Sequence, residues 1–392
     1  MGKADLVVVG GGVIGLAVAW RCRDAGAEVT VVDPSLSPVV RGGITLTPAS
    51  SAAAGMLAPV TEAHYGEEAL VKLNLASAEL WPSFARAVEE VSGEKVGYRS
   101  EGTIAVAFDG GDRTALEKLH RFQVSLGLDS TWLGPLACRS LEPLLAPSIR
   151  GGLLVPGDNQ VDPRRLRQGL LSACRASGVH LVNDEVAGIS TTTRAATGVR
   201  LGRGGELRAK ETVLAAGWRS SAMAGLPDEA LPPVRPVKGQ ILRLAVPEGS
   251  SRPTHNLRAI VQASSIYVVP RQDGEVVVGA TVEEMGQDRR VTAGAVYSLL
   301  RDAQLLLPGL SEAELVECTV ARRPGSPDNL PIIGRGLLDG LVIATGHYRN
   351  GIHLTPITAD LVTTLTSGGD MPAWAGSFDP RRFETASTTR RP

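Results

Sequence analysis

Asp5-Leu-Val-Val-Val-Gly10-Gly-Gly12-Val-Ile-Gly15 is an apolar run that breaks into closely spaced glycines and resumes as a helical pattern. Residues 6–9 read as a strand buried on both faces, because no polar residue alternates with the valines. Gly10 permits a tight turn, Gly12 lets backbone amides approach a pyrophosphate, and Gly15 lets the helix expected over 13–25 pack close to the strand. The first amides and the dipole of that helix favour phosphate. A second strand, 28–33, ends in Asp33, where an acid meets the ribose hydroxyls of a dinucleotide. A glycine triplet alone is often a turn between core elements. Strand, helix, second strand and terminal acid together make a nucleotide site, and the acid disfavours a 2′-phosphate. NADP is set aside; NAD and FAD remain.

A second signature stands near the other end: Leu341-Val-Ile-Ala-Thr-Gly346-His-Tyr-Arg349-Asn-Gly351-Ile, again strand, glycine and helix. The first signature alone means only that a dinucleotide binds. Two of them point to one large cofactor, a flavin, whose reactive ring needs a helix terminus beside it.

The chain has 392 residues, which suits two domains or one large α/β domain with ample core. A formal net charge of −1 and no long run of one sign make nucleic acid and anionic membranes poor partners. Cys22, Cys138, Cys174 and Cys318 show neither CxxC nor metal-ligand spacing, and read as buried thiols of a reducing cytoplasm. No metal site is expected. The first strand begins almost at the initiator, with no signal peptide before it, and the apolar stretch 11–20 is too short to span a bilayer. A soluble, cytoplasmic protein is expected.

Between the signatures, a loop rich in Pro, Ser, Thr and Gly covers 34–51 and ends in Ser50-Ser-Ala-Ala-Ala-Gly55-Met56, small enough for backbone to approach a ligand. Residues 67–91 have the spacing of a long amphipathic helix, and 102–108 that of a strand. Asp162 and Pro163 read as the N-cap and first position of a helix to about 176. Strands follow at 179–182 and 185–189, and 211–216 runs into a glycine turn at Gly217. Residues 236–283 read as β, with Asp273-Gly274 as a two-residue hairpin turn. A helix over 292–307 then precedes a strand over 316–321. Nucleotide-type segments are thus interrupted twice by mixed segments.

In VVVGGGVIGLAVAW, SAAAGMLAP, VDPRRL, VLAAGWRS, RPVKGQ, YVVPRQDGEVVVGAT, RRPGSPDNLPIIG and ATGHYRNGIHLTPITA, taken in order, the chain resembles the D-amino-acid oxidase superfamily of flavoproteins. Within it, SAAAGML, the YxVPR hairpin and GHxRNGI resemble the glycine oxidases of thiamin biosynthesis. The resemblance implies an α/β fold in which a Rossmann-like FAD domain (1–60, 150–220 and 325–380) interleaves with an α+β, mixed-sheet substrate domain (61–149 and 221–324), followed by a flexible tail, 381–392. It implies non-covalent FAD, with Gly10, Gly12, Val13, Ile14 and Gly15 at the pyrophosphate and Asp33 and Pro34 at the adenosine ribose. Ala49, Ser50, Ala54, Gly55 and Met56 would run along the flavin, Val186 would meet the adenine, and Gly217 would close the turn beside the cofactor. His347, Tyr348, Arg349, Asn350, Gly351 and Ile352 would sit against the isoalloxazine, their amides stabilising charge near N1.

Substrate contacts carry over to Tyr267, Arg323 and Arg349. An arginine fork suits a carboxylate through two parallel charge-assisted hydrogen bonds. Read singly, Arg323 is a strand charge and Tyr267 a core aromatic; their joint match to the family's motif reverses that. Arg322 departs from the family, which has an apolar residue there, and strand alternation predicts that only one of Arg322 and Arg323 points into the site.

The implied reaction is hydride transfer from the α-carbon of glycine to FAD, giving an imine that hydrolyses to glyoxylate and ammonia, with O₂ reduced to H₂O₂. No acid/base dyad is required. The resemblance further implies delivery of the imine to thiazole synthase and a homo-oligomer, by analogy with homotetrameric relatives. Three alternatives stay open: an enzyme for sarcosine, proline or a D-amino acid, an NAD-dependent dehydrogenase, and a non-catalytic flavoprotein.

Overall fold

A computed structural model describes residues 4–36, 40–41, 44–45, 48–261 and 264–389. Parts of the 34–51 loop and of the tail therefore lie outside the described residues.

The strand Ala4–Val9 lies in the middle of the first sheet, with Val29–Val32 and His180–Val182 on one side and Glu206–Leu214 on the other, all parallel. Its apolar run is buried from Leu6 to Val9, as a strand covered on both faces requires. Glu206–Leu214 then divides its partners. Its C-terminal half pairs with Leu341–Thr345 in parallel, and its N-terminal half with the antiparallel strand Ala196–Leu201, which carries Val186–Thr191 beyond it. Ile332–Arg335 closes the edge beside Leu341–Thr345. The two glycine signatures thus belong to one sheet, with a single strand between them.

Helix Val13–Asp24 packs on Pro163–Ala176 and on Thr355–Thr366, and the long helix Glu68–Ser92 lies across both of the latter. Asp162 is the N-cap of its helix, its carboxylate accepting from the amides of Arg164 and Arg165, with Pro163 at the first position.

The second sheet runs in the order Glu314–Gly325, Arg235–Ala245, Glu275–Gly279, Ser264–Pro270, Asn256–Val261, Thr103–Ala107, Gly151–Val155, Thr131–Leu133. Its pairings are antiparallel except that of Asn256–Val261 with Thr103–Ala107. The hairpin turns at Gly274, whose φ of +92° is open to glycine. Glu314–Gly325 is the edge strand, longer at both ends than its apolar centre suggested.

Two placements differ from expectation. Gly151–Val155, assigned above to the nucleotide half, pairs with Thr103–Ala107 in the second sheet. The tail from 381 begins as a docked segment: the Arg382 guanidinium meets Asp328 at 2.8 Å and Phe383 packs against the core beneath the first sheet. An ion pair and an aromatic anchor hold it there, and the composition of the tail does not announce either.

Candidate active site

One cavity of about 750 Å³ is lined from both sheets, within the range of sites for cofactors and drug-sized ligands. Around it stand Gly10, Gly12, Val13, Ile14, Asp33, Pro34, Ala49, Ser50, Ala54, Gly55, Met56, Val186, Gly217, His347, Tyr348, Arg349, Asn350, Gly351 and Ile352, together with Tyr267 and Arg323. Gly15 is the exception. A Cβ there would strike the Gly10 carbonyl, so this glycine serves the close approach of helix to turn, away from the cavity wall.

The glycine turn is built for an anion. Gly10 has φ +121° and lies against the backbone of Ala215, where no side chain fits. Gly12 faces open space, its nearest neighbour being Ser50 Oγ. Among the described residues, that hydroxyl is buried and has no hydrogen-bond partner. Helix Val13–Asp24 has neither a side-chain cap nor an acid in its first turn. An unsatisfied hydroxyl and an uncapped helix start across a cleft fit a phosphate group. Asp33 also shapes this turn: its carboxylate accepts from the Gly11 amide at 2.8 Å and the Ser35 amide at 2.7 Å. From the helix Pro163–Ala176, Arg167 donates to the Gly11 and Ser35 carbonyls, bracing the same loop.

At the second signature, Leu341–Thr345 ends in Gly346, and Tyr348 takes φ +47°. The helix begins only at Thr355, one turn later than the sequence pattern implied, because the stretch from Gly351 to Leu354 forms turns first. Helix Glu68–Ser92 fixes those turns: Ser77 Oγ and Trp81 Nε1 both donate to the His353 carbonyl, at 2.6 and 2.8 Å. Among the described residues, the Gly351 and Ile352 amides have no acceptor within the chain. They remain available to an electron-rich ring edge. His347 is buried, which pushes its pKa down to about 3, so it stays neutral, with Nε2 3.0 Å from Thr358 Oγ1.

The substrate side rests on two glycines inside strands. A Cβ on Gly239 would lie 2.6 Å from Arg323 Cζ, and one on Gly279 would lie 2.5 Å from the Tyr267 hydroxyl oxygen. Arg323 and Tyr267 therefore lie flat across the sheet over positions that carry no side chain. Arg323 Nη1 donates to the Thr281 carbonyl at 3.0 Å, which orients the guanidinium. Burial raises the Tyr267 pKa, with the Arg323 charge working against it, so the hydroxyl remains a donor across the physiological range. Arg349, exposed at the cavity, has its guanidinium 5.0 Å from the Tyr348 ring centroid.

The pattern Gly239→Ala should reveal this construction. The added methyl meets the movable end of Arg323, so the fold and FAD content should hold while KM for a carboxylate substrate rises about tenfold, the scale of one charge-assisted bond. Steady-state kinetics on variant with normal flavin absorbance checks it; an unchanged KM would show that Arg323 does not hold the carboxylate from this position.

Arg322 overturns the one-face expectation. Both arginines line the cavity, because Glu314–Gly325 is an edge strand and the cavity meets both of its faces. The Arg322 guanidinium stacks 4.4 Å from the Trp218 ring centroid.

Three contributors escaped the sequence reading. Glu62 lines the cavity and pairs with Arg258 at 2.9 Å. Burial opposes its ionisation, yet Arg258, with Arg349 adding, holds it below the usual carboxylate range. Its loop is held by Asp158, which accepts from the Val60 and Thr61 amides at 2.9 Å each. Arg271, the arginine of the YxVPR hairpin, reaches across to the Ala54 and Val161 carbonyls and so ties the second sheet to the loop at Gly55. Local pattern marks neither Glu62 nor Asp158; the arginine of the hairpin motif carried a signal, but one that did not say which atoms it held.

The family model described as FAD dependent oxidoreductase (DAO) matches residues 5–365. The chain belongs to this family of FAD-dependent oxidoreductases. It is 34% identical over 98% of its length to the bifunctional protein ThiO/ThiG of Trichormus variabilis, of which it spans 56%. The chain thus spans about half the length of that relative. It is 32% identical to the glycine oxidase of Geobacillus kaustophilus, covering 93% of each. The crystal structure of glycine oxidase from Geobacillus kaustophilus superposes with a TM-score of 0.86 at 31% identity, covering 97% of this chain and 99% of that one. The α/β fold and the FAD dependence expected from the sequence are those of the family. Among the described residues no helix is long and apolar enough to cross a membrane, and no cluster of side chains suits a metal ion.

Proposed function

We propose that this chain oxidises glycine, and other small amines, at the carbon bearing nitrogen, to an imine that water converts to glyoxylate and ammonia. The observation that carries this reading is the pairing of Arg323 with the Tyr267 hydroxyl, laid over Gly239 and Gly279 and facing the same cavity as the His347 to Ile352 turn. A guanidinium and a phenol beside each other make a carboxylate clamp. FAD, when held in this cavity, would supply the hydride acceptor, with O₂ as the final oxidant reduced to H₂O₂.

The residues of the chain do the positioning. Arg323 and Tyr267 fix the carboxylate, and Arg349 adds positive charge at the cavity mouth. Glu62, paired with Arg258, lines the same cavity and can accept a hydrogen bond from the N–H of the neutral amine. The amine enters neutral, its proton left to solvent before binding, and its α-carbon is turned toward the cofactor; His347, buried and hydrogen-bonded to Thr358, takes no proton. Orientation accounts for the catalysis.

The name ThiO/ThiG of the two-function relative supports a role in thiamin biosynthesis, with the imine delivered to a thiazole synthase. Non-covalent FAD, a homo-oligomer, a cytoplasmic location and the interleaved domain division belong to the same reading. Within that division, the first sheet and its helices hold the cofactor and the second sheet holds the substrate.

The test is peroxide release from purified, yellow protein across glycine, sarcosine, D-alanine and D-proline, with flavin extracted by acid. Glycine is expected to give the highest kcat/KM and the flavin to leave the precipitate. A preference for proline or a D-amino acid would move the substrate; absent turnover with bound FAD would leave a flavoprotein of another chemistry.

A further inference from the structure

Three arginines from distant parts of the chain converge at the other face of the edge strand. Arg219 follows the turn after Glu206–Leu214, Arg289 belongs to the loop after Glu275–Gly279, and Arg322 lies on Glu314–Gly325; all three line the cavity, with Trp218 among them. Two of these three charges are uncompensated among the described residues. Arg219 meets Glu185 at 3.2 Å, but among the described residues neither Arg289 nor Arg322 has a carboxylate partner. The acids of the neighbouring loop are engaged elsewhere: Asp288 with Lys238 at 2.7 Å and Arg290 at 2.9 Å, Glu283 with Lys238 at 3.3 Å.

Arg322 is half-buried against the Trp218 ring at 4.4 Å. Burial lowers its pKa to about 10, with the charges of Arg289 and Arg219 adding, so it stays protonated at neutral pH and is destabilised by its surroundings. An anion between these guanidinia relieves that repulsion, and the planar guanidinium fixed on an indole face is already oriented for an oxyanion. Nothing in the reading of glycine as substrate uses this charge, since glycine has one carboxylate and Arg323 takes it.

We propose that Arg322, with Arg289 and Arg219, forms a second oxyanion subsite, for substrates in which the amine carries an additional acidic arm. It rests on the reading that Arg323 holds the first carboxylate. The substrate class is an N-(carboxyalkyl)glycine: one carboxylate on Arg323, the amine between, and the second carboxylate reaching around the strand edge to Arg322. The oxidation is the one described above, with the hydride leaving the carbon next to nitrogen and the imine hydrolysing.

The experiment compares wild-type holoenzyme with Arg322→Leu, which restores an apolar residue, and with Arg289→Ala. Glycine, iminodiacetate and N-(carboxyalkyl)glycines of two to four methylenes are the probes. At least one dicarboxylate should show a wild-type kcat/KM ratio to glycine that falls tenfold or more in Arg322→Leu and by less in Arg289→Ala, because Arg289 is exposed. The FAD dissociation constant should match the wild type. A ratio unchanged for every arm length overturns the subsite. Equal weakening of FAD binding also overturns it, because the arginines then hold the phosphates of the cofactor. Should no amine be oxidised, the reading of the activity fails by itself; calorimetric titration of the same dicarboxylates into holoenzyme still decides the subsite, with tenfold weaker binding to Arg322→Leu expected and equal binding overturning it.

Discussion

Replacing Arg323 with alanine should raise KM for glycine by roughly two to four decades while the protein stays yellow. The carboxylate then enters a site whose other donor is the Tyr267 hydroxyl, without its main counter-charge, and breaking such a buried pair costs on the order of 3–5 kcal/mol. The loss falls on KM if the contact is equally strong in the ground and transition states, and kcat falls with it if the contact strengthens as the hydride leaves. Arg323→Lys should recover only part, because an ammonium cannot make two parallel bonds and cannot lie flat over Gly239 while donating to the Thr281 carbonyl as the guanidinium does. Arg322→Ala should cost glycine far less, its guanidinium being stacked on Trp218. Steady-state kinetics of the three variants at equal flavin content checks this. If Arg322→Ala proves the more damaging change, the carboxylate lies on the other face of the strand.

Much of this arrangement is written locally. A turn with φ +121° at Gly10, a hairpin at Gly274 and an N-cap at Asp162 each demand particular residue types at particular positions, so the residues announce the geometry. The nucleotide cradle follows from such local demands, which is why nearly every residue assigned to it lines the cavity. Gly239 and Gly279 carried a signal of the same kind that the sequence reading did not use: a glycine inside a strand marks the close approach of another group. Here that group is a side chain from a neighbouring strand.

What was not legible is long-range. Glu62 is an ordinary acid in an ordinary loop until Asp158 folds that loop toward Arg258. Arg322 looked as if it must point away from the site because successive residues of a strand face opposite sides of the sheet. At an edge, the cavity reaches both faces, and alternation no longer decides which residue meets solvent or ligand. The pairing of Gly151–Val155 with Thr103–Ala107 was illegible for a different reason: a short apolar strand carries no mark of the sheet it joins.

Asp33 separates the cradle from the cofactor it is shaped for. Its carboxylate braces the Gly11 amide and Ser35, and the residue also lines the cavity, which makes it the proposed partner of the adenosine ribose. Asp33→Ala removes both functions, but the loop keeps its second brace, since Arg167 still donates to the Gly11 and Ser35 carbonyls at 3.0 and 2.8 Å. The fold should therefore survive and the loss should appear in FAD affinity. Hydrogen bonds to a charged group contribute about 1.5–3 kcal/mol, or one to two decades in dissociation constant. Asp33→Asn keeps an oxygen for the Gly11 amide and loses the charge, so it should fall between the wild type and Asp33→Ala. Reconstitution of apoprotein with FAD, followed by flavin fluorescence, measures all three. Equal weakening in Asn and Ala assigns the effect to the charge at the ribose. Weakening in Ala alone assigns it to the turn, and an unchanged constant in both would mean that Arg167 suffices to hold the loop and that Asp33 makes no contact with the nucleotide.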